Sequence, residues 1–219
     1  MYIEAIDLGK SYGDAVVIEH TSFRVEDGGS IAFVSPSGSG KSTLLSMIGL
    51  LLDPTAGSVV VDGQDAGKLS DDARSELRLR SFGFVFQHTQ LIGSLRAWEN
   101  VATPARFAGK VDFDPKQRAI QLLERFGLSD RLYHYPHQLS VGQKRCVAVA
   151  RALMLSPKVV IADEPTNDLD LESATSVADT LLEYADQGNI LLYATHDLEL
   201  AERAGTVMRL RDKSFQKAD

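Results

Sequence analysis

The sequence predicts an α/β protein, because short strand-like runs alternate along it with segments of helical pattern. Two runs, Val159–Ala162 and Ile190–Ala194, are almost wholly apolar, which is typical of strands buried on both faces of a parallel sheet. Between them, apolar residues recur with a helical period at Ala174, Val177, Ala178, Leu181, Leu182 and Ala185. Strand, helix and strand in this order indicate a covered parallel sheet.

The first third of the chain combines short β-rich runs with one helix. The predicted strands are Met1–Leu8, Val16–Val25, Ser30–Val34 and Ser58–Asp62. A loop of small residues at 35–40 follows the third of these strands, and we expect the Leu- and Met-rich segment Lys41–Leu51 after it to be helical. This region therefore contains a strand, a small-residue loop and a helix in direct succession.

The middle of the chain is predicted to be one further strand followed by a more helical region. Ser70 is placed to cap a helix with an acidic first turn, where carboxylates suit the positive end of the helix dipole. Phe82–Phe86 then predicts a buried strand, and residues 88 to about 155 have a more helical pattern. Within that region one helix is expected to start at Asp114 and to stop at Gly127.

Length and composition favour a soluble globular protein of one structured domain, residues 1–219. Its 44% hydrophobic and 24% charged residues are ordinary for this class, and its net charge of −7 argues against a nucleic acid partner. The single cysteine, Cys146, excludes an internal disulfide and a cysteine zinc cluster. No stretch approaches the eighteen or so apolar residues of a membrane span, so we expect the chain to act outside the bilayer.

The loop between the third strand and the first helix has the pattern of a phosphate-binding loop. Its small residues let successive backbone N–H groups face a phosphate, and the helix N-terminus adds partial positive charge. Lys41 is placed to reach the β- and γ-phosphates, and the Ser42 hydroxyl to bind Mg²⁺. The candidate nucleotide-binding residues are Ser35, Pro36, Ser37, Gly38, Ser39, Gly40, Lys41, Ser42 and Thr43.

Ser35 stands where the usual phosphate-binding motif begins with glycine. Serine fits this position if its backbone φ is negative, and we expect nucleotide binding to be retained. A glycine-rich turn with an accidental lysine is the alternative interpretation. The strand–loop–helix context favours phosphate binding over that alternative.

An acidic pair follows the apolar strand Val159–Ala162. The C-terminal end of such a strand is where ligands bind in open α/β sheets. Asp163 is placed to hold Mg²⁺, directly or through water, and Glu164 to polarise an attacking water. Solvated surface charge is the alternative, which a neighbouring phosphate loop disfavours.

A third motif, Leu139–Gln143, lies upstream of the acidic pair. Small and hydroxyl residues at a helix N-terminus form an anion site, although a simple cap by Ser140 explains this pentapeptide equally well. The order of the three motifs resembles that of the nucleotide-binding domains of ABC ATPases, and the resemblance covers essentially the whole chain. It implies a P-loop NTPase of ABC type. Such a protein has a mixed sheet core, an N-terminal antiparallel β-subdomain and a helical subdomain inserted at about 88–155.

The resemblance also implies roles for residues outside the phosphate loop. Ser140, Gly142 and Gln143 would contact the γ-phosphate of ATP held by an opposite subunit, with Val141 in place of a family glycine. Further counterparts are the Q-loop glutamine Gln87, the D-loop Thr166–Asp170, the γ-phosphate-sensing His196 and the adenine-stacking Tyr12. Taken singly, each of these has an ordinary packing or surface explanation. Core packing is the expected role of Trp98, Phe107 and Cys146.

The activity implied by the resemblance is ATP hydrolysis with Mg²⁺ as cofactor. Lys41, Glu164 and His196 would be catalytic, and the metal would be bound by Ser42, Gln87 and Asp163. Two ATPase subunits would form a homodimer and drive separate transmembrane permease subunits from the cytoplasmic face of the cell membrane.

The stretch from Gly83 to Val101 resembles the compact ATPases of lipoprotein-releasing, macrolide-exporting and haem-exporting systems. An exporter or a mechanotransmission system is therefore the expected setting. The alternative function is a non-transport ABC ATPase that regulates a cell-division or other membrane complex. A simple P-loop kinase or GTPase leaves Leu139–Gln143, Gln87 and His196 unexplained.

Overall fold

Two β-sheets contain the strands, as seen in a computed structural model that describes residues 1–36 and 38–218. The first sheet is antiparallel, with the strand order β2-β1-β4-β5. Its strands are β1 (Tyr2–Tyr12), β2 (Ala15–Glu26), β4 (Ala56–Val61) and β5 (Gln64–Asp65). This sheet corresponds to the predicted N-terminal β-subdomain.

The second sheet is the central sheet, with the order β10-β9-β3-β8-β7-β6. All its neighbours are parallel except β10 and β9. Its strands are β3 (Ser30–Val34), β6 (Phe82–Val85), β7 (Val159–Asp163), β8 (Ile190–Thr195), β9 (Thr206–Arg211) and β10 (Ser214–Lys217). Every residue of β8 is buried, which explains why its sequence is apolar on both faces.

Seven α-helices connect or flank these strands in the described part of the chain. They are α1 (Lys41–Ile48), α2 (Asp71–Ser81), α3 (Ala97–Phe107), α4 (Pro115–Arg125), α5 (Val141–Ala152), α6 (Leu171–Asp186) and α7 (Leu198–Glu202). The predicted caps are confirmed: the Ser70 hydroxyl accepts from the N–H of Ala73, and Asp114 caps α4. None of the described helices is long and apolar enough to cross a bilayer.

The central sheet carries a hydrophobic core on each of its faces. In β3, Ile31 and Phe33 belong to the core shared with α1 and the antiparallel sheet, whereas Ala32 faces the core built with α3 to α6. This alternation follows from the period of two along a strand. The predicted α/β architecture, with a mixed central sheet and a separate antiparallel sheet, is confirmed.

Several predicted boundaries and one core assignment are wrong. The first strand continues past Leu8 to Tyr12 because it pairs with β2 up to the hairpin end, through bulges. Helix α1 ends at Ile48, before Leu50 takes a left-handed φ of 59°. Phe107 is 74% exposed rather than in the core. Cys146 is buried and Trp98 packs against the core, as expected.

Helices α3, α4 and α5 lie between β6 and β7 in the sequence and pack on one another. They occupy the region predicted to form the helical insertion. Its proposed limits near 88 and 155 remain a prediction, as does the assignment of 1–219 to a single domain.

Candidate functional site

The ammonium group of Lys41 is buried at the start of α1, under the loop that follows β3. Its Nζ donates to the carbonyl oxygens of Ser35 at 2.7 Å and Pro36 at 3.3 Å. The same Nζ lies 3.1 Å from Oε1 of Glu164. The loop therefore wraps around the cation and presents it beside a carboxylate at the C-terminal edge of the central sheet.

Two glycines give this loop its shape. Gly38 and Gly40 have φ of 75° and 103°, which side chains of L-residues rarely allow. A Cβ on Gly40 would lie 2.8 Å from Cδ1 of Ile18 and 2.9 Å from Cγ1 of Val17. The loop thus needs glycine at position 40 both for its backbone conformation and for its packing against β2.

Ser35, the departure from the usual motif, is accommodated without backbone strain. It is absent from the described residues with left-handed φ, which meets the condition for replacing glycine. Its side chain is buried, and its hydroxyl hydrogen-bonds to the hydroxyl of Ser39, which itself donates to the Pro36 carbonyl at 2.6 Å. The predicted binding residue Ser37 lies outside the described residues.

Glu164 connects the lysine to the predicted γ-phosphate sensor. It follows β7, is 6% exposed, and has a left-handed φ of 49°, an uncommon conformation for a non-glycine residue that occurs at functional sites. Its Oε2 lies 2.9 Å from Nδ1 of His196, while Oε1 faces Lys41. One buried carboxylate therefore bridges two of the predicted catalytic residues.

Asp163, at the end of β7, has an unsatisfied buried atom. Its Oδ1 has no hydrogen-bond partner within residues 1–36 and 38–218. Burial raises the pKa of this carboxyl above its ordinary 3.8, although the Ser42 hydroxyl lowers it. A free carboxylate oxygen beside a hydroxyl oxygen is the type of donor set that Mg²⁺ prefers, so the residues present fit this ion.

A cavity of about 230 Å³ brings eight of the predicted residues together. Its lining consists of Val17, Gly38, Gly40, Lys41, Ser42, Thr43, Gln87, Asp163 and Glu164. It combines backbone N–H groups at a helix N-terminus, one cation and two carboxylates. This arrangement is chemically suited to hold a polyphosphate with a divalent cation and to polarise a water molecule beside it.

Other predicted residues lie outside this lining. Tyr12 is 54% exposed at the end of β1, where Lys10 Nζ lies 5.2 Å from the centre of its ring. Ser140, Gly142 and Gln143 surround the start of α5, and none of them is among the described lining residues. The single chain therefore does not assemble all predicted nucleotide contacts in one cavity.

The start of α5 is rigidly capped. The Ser140 hydroxyl accepts from the N–H of Gln143 at 3.2 Å, and the Gln143 side chain accepts from the N–H of Ser140 at 3.0 Å. Gly142 is buried against α6, so that a Cβ there would lie 2.4 Å from Oγ of Ser173. Val141, by contrast, is 56% exposed. The two positions where the family motif has glycine thus differ in their need for it.

Sequence reasoning missed two residues of this region. Val17 lines the cavity from β2, and its alternating strand pattern alone gives no sign of a ligand. Arg145 donates to the backbone carbonyl of Gln87 from α5, across 58 positions of sequence. A basic residue in a helix is usually exposed, so no sequence signal marks this contact.

A sequence profile described as ABC transporter matches residues 18–167 of the chain. The chain is 44% identical over 199 residues to the macrolide export ATP-binding/permease protein MacB of Pectobacterium atrosepticum, covering 91% of this chain and 31% of that protein. It is 43% identical over 215 residues to the pyoverdine export ATP-binding/permease protein PvdT of Pseudomonas entomophila, covering 96% and 33%. The chain thus spans about a third of the length of these curated exporters.

Two further similarities extend over nearly the whole of both chains. An uncharacterized ABC transporter ATP-binding protein of Thermotoga maritima is 40% identical over 214 residues, with 96% of this chain and 92% of that protein covered. The dimeric ATP-binding cassette MJ0796, solved in a post-hydrolysis state with ADP and Pi, superposes with a TM-score of 0.92 at 31% identity. That match covers 99% of this chain and 98% of the other. The likeness confirms the predicted fold class.

Proposed function

The chain belongs to the ABC transporter family of ATPases, and from this premise we propose that two copies of it hydrolyse ATP to drive a separate membrane permease. The observation that carries the proposal is the bridge formed by Glu164 between Lys41 at 3.1 Å and His196 at 2.9 Å. A phosphate-loop cation, a buried base and a histidine in contact form a site for phosphoryl transfer to water.

Nucleotide binding in this proposal begins with an exchange of partners at Lys41. The γ-phosphate competes with the Glu164 carboxylate for the ammonium group, because both are anions and the loop amides favour the phosphate. Release from Lys41 frees one oxygen of Glu164 for a water molecule. Substrate binding thus prepares the base as well as the phosphate.

The metal would be held by Ser42, Asp163 and Gln87, which all line the cavity. A Mg²⁺ ion bound there would supply charge neutralisation on the phosphate oxygens. Asp163, whose buried Oδ1 has no hydrogen-bond partner in the described residues, would then be compensated for the cost of its burial.

In the hydrolytic step, the water oxygen attacks the γ-phosphorus while the bond from phosphorus to the β–γ bridging oxygen breaks. Glu164 accepts the proton of the water, and the products are ADP and phosphate. Lys41 and the loop amides stabilise the charge that develops on the phosphate oxygens, and His196 orients the γ-phosphate. Positioning and charge neutralisation supply most of the catalysis.

A second copy of the chain completes the site in this proposal. Ser140, Gly142 and Gln143 are not among the residues that line the chain's own cavity, and in this proposal the start of α5 contacts the γ-phosphate bound by a partner. The MJ0796 cassette is described as a dimer in the state with ADP and Pi. ATP held between two copies would close the dimer, and hydrolysis would reopen it.

The closing and reopening of the dimer would drive a conformational change in a permease at the cytoplasmic face of the membrane. A groove of about 410 Å³ lies between α2, β6 and α3, and the 74% exposed ring of Phe107 lines it. We propose this groove as the permease contact. The likeness to macrolide and pyoverdine exporters favours an export or mechanotransmission system over regulation of a cell-division complex.

The hydrolytic part is tested by steady-state ATPase assays of the wild type and of Glu164→Gln. We expect turnover to fall at least 100-fold in the variant, because the amide cannot accept the proton. The matched control is Glu183→Gln, the same change at an exposed position of α6. Undiminished turnover in Glu164→Gln would remove this residue from its role.

The transport part is tested by purifying tagged Glu164→Gln protein from detergent-solubilised membranes with ATP and Mg²⁺, with mass spectrometry of the co-purifying chains. A stoichiometric multi-span permease is the expected partner, and a large external domain on it would favour export or mechanotransmission. Recovery of only soluble partners would contradict the transport role and leave the ATPase chemistry intact.

A further inference from the structure

The segment after β6 that carries Gln87 has no regular secondary structure. Its backbone carbonyls therefore need partners from elsewhere in the protein. Arg145 supplies two of them: its Nη1 donates to the Phe86 carbonyl at 2.7 Å and its Nη2 to the Gln87 carbonyl at 2.8 Å. Both guanidinium nitrogens thus hold the backbone on which the Gln87 side chain is mounted.

Arg151 repeats this arrangement farther along the same segment. Its Nη2 donates to the Thr89 carbonyl and its Nη1 to the Gln90 carbonyl, both at 2.8 Å. Both arginines lie on α5, so a single helix holds four carbonyls between residues 86 and 90. The planar fork of a guanidinium suits such paired acceptors and fixes their direction.

Arg145 is held at a high electrostatic cost. It is 4% exposed, its Nε has no hydrogen-bond partner in the described chain, and burial lowers its pKa. None of the ion pairs among residues 1–36 and 38–218 includes it. Its buried charge is therefore balanced by hydrogen bonds to carbonyl oxygens and not by an ion pair, which costs more free energy than a neutral donor would.

Its surroundings connect it to the candidate site. Asp168 and Asp163 act on the Arg145 charge electrostatically, and Asp163 lines the same cavity as Gln87. The helix of Arg145 begins directly after Ser140, the residue proposed to reach the partner's nucleotide. Arg145 therefore contacts the segment that carries Gln87, and its charge is influenced by the carboxylate of the acidic strand end.

We propose that Arg145, supported by Arg151, is a positioning residue that sets the Gln87 side chain at the Mg²⁺–nucleotide cavity. This inference rests on the proposed function of the cavity. It predicts that loss of the guanidinium weakens metal binding to the nucleotide complex without weakening nucleotide binding itself.

The test uses Mn²⁺ in place of Mg²⁺ and measures its affinity by electron paramagnetic resonance for the full chain with ATP. The Glu164→Gln background slows turnover, and the readout is binding, so it does not depend on activity. The variants are Arg145→Met, Arg145→Lys and Gln87→Ala, and affinity for a fluorescent ATP analogue is measured without metal. The matched control is Arg118→Met, which loses a guanidinium contact to the Met154 carbonyl at 2.7 Å but none to the Gln87 segment.

We expect Arg145→Met to weaken Mn²⁺ binding about 10-fold, as loss of an outer-shell partner does in other metal sites. Gln87→Ala should weaken it at least as much. Arg145→Lys should not restore full affinity, because an ammonium group cannot bridge the two carbonyls in one plane. Arg118→Met should lower the melting temperature and leave Mn²⁺ affinity unchanged.

Equal Mn²⁺ affinity in Arg145→Met and its parent would overturn the inference. An unchanged Mn²⁺ affinity in Gln87→Ala would overturn it as well. Failure of the proposed function gives a different result, since the parent itself would then bind no ATP analogue. If Arg145→Met does not fold, Arg151→Met takes its place, because this side chain is only partly buried. A smaller weakening of Mn²⁺ binding in Arg151→Met would support the inference. An unchanged Mn²⁺ affinity in that variant would overturn it.

Discussion

At the scale of single residues, the neighbouring positions 141 and 142 differ in how well they tolerate substitution. Gly142 is enclosed by α6, where an added Cβ would lie 2.4 Å from Oγ and 2.9 Å from Cβ of Ser173. Val141 extends into open space at the first position of α5, with 56% exposure. The glycine is required by packing, whereas the valine meets no such limit within the single chain.

Gly142→Ala should therefore lower the free energy of unfolding by about 1–3 kcal/mol, the usual cost of overpacking. The reverse change at the neighbouring position, Val141→Gly, should cost less than about 1 kcal/mol, since only helix propensity is lost. Urea denaturation of both variants measures the difference. Equal losses in the two variants would contradict this account of the motif.

Cys146 should be unreactive in the folded protein. Its thiol is buried in α5, and burial raises its pKa to about 11 from an ordinary value of 9.0. The thiolate, which is the reactive form, is therefore scarce at pH 8 and increases only as the pH approaches the raised value. We expect Ellman's reagent to detect one thiol at pH 8 in denaturant and none in the native protein within minutes. Rapid native reaction would show that the thiol is accessible.

Several site residues could be predicted from sequence because their chemistry depends on local spacing. Lys41 and Ser42 follow a loop of small residues, and Asp163 and Glu164 end an apolar strand. The contact of Glu164 with Lys41 could not be predicted, since it depends on how strands far apart in sequence align. The left-handed backbone of Glu164 could not be predicted either, because glutamate rarely adopts this conformation and the sequence around it gives no indication of it.

At the scale of elements, the segment 86–96 has one internal backbone hydrogen bond, from the Leu95 N–H to the Ile92 carbonyl, and several contacts from side chains of α3 and α5. Beyond the four contacts of the two arginines, Asn100 of α3 is fully buried and accepts from the Ile92 N–H at 2.7 Å. Its amide also donates to three carbonyls, those of Ile92, Leu95 and Arg96. This single side chain fixes the second half of the segment to α3.

Asn100→Ala should destabilise the protein by about 2–4 kcal/mol, because several buried backbone groups lose their partner at once. Amide hydrogen exchange should increase first within residues 90–96. Thermal unfolding and exchange mass spectrometry measure the two effects. A control in the same helix is Thr103→Ala, which removes one hydroxyl contact at 3.0 Å to the Glu99 carbonyl. Equal effects of the two changes would argue against the special role of Asn100.

Helix starts were more predictable than this segment for a physical reason. Ser70 and Asp114 act on N–H groups two or three residues ahead, so the sequence contains both partners of each cap. Arg145 and Arg151 act on carbonyls about sixty residues away, which only the folded chain brings together. Local contacts can therefore be predicted from the sequence, whereas the arginine contacts to the segment that carries Gln87 cannot.

At the scale of the whole molecule, two exposed apolar side chains mark the surface that we propose to bind a second copy of the chain. Leu171 at the start of α6 is 85% exposed and Val141 at the start of α5 is 56% exposed. The packing of Gly142 on Ser173 places these two helix starts side by side. A second copy of the chain that binds there would bury both side chains and supply the missing wall of each nucleotide cavity.

The central claim, that ATP is held between two copies, is tested most directly by the molar mass of Glu164→Gln protein in solution with ATP and Mg²⁺. Light scattering should give twice the 23.9 kDa of one chain with ATP and the single-chain mass without it. Leu171→Glu in the same background should weaken this dimer, whereas Ile6→Glu, at a 45% exposed position of the antiparallel sheet, should not. A mass of one chain at saturating ATP, with the nucleotide bound, would contradict the account.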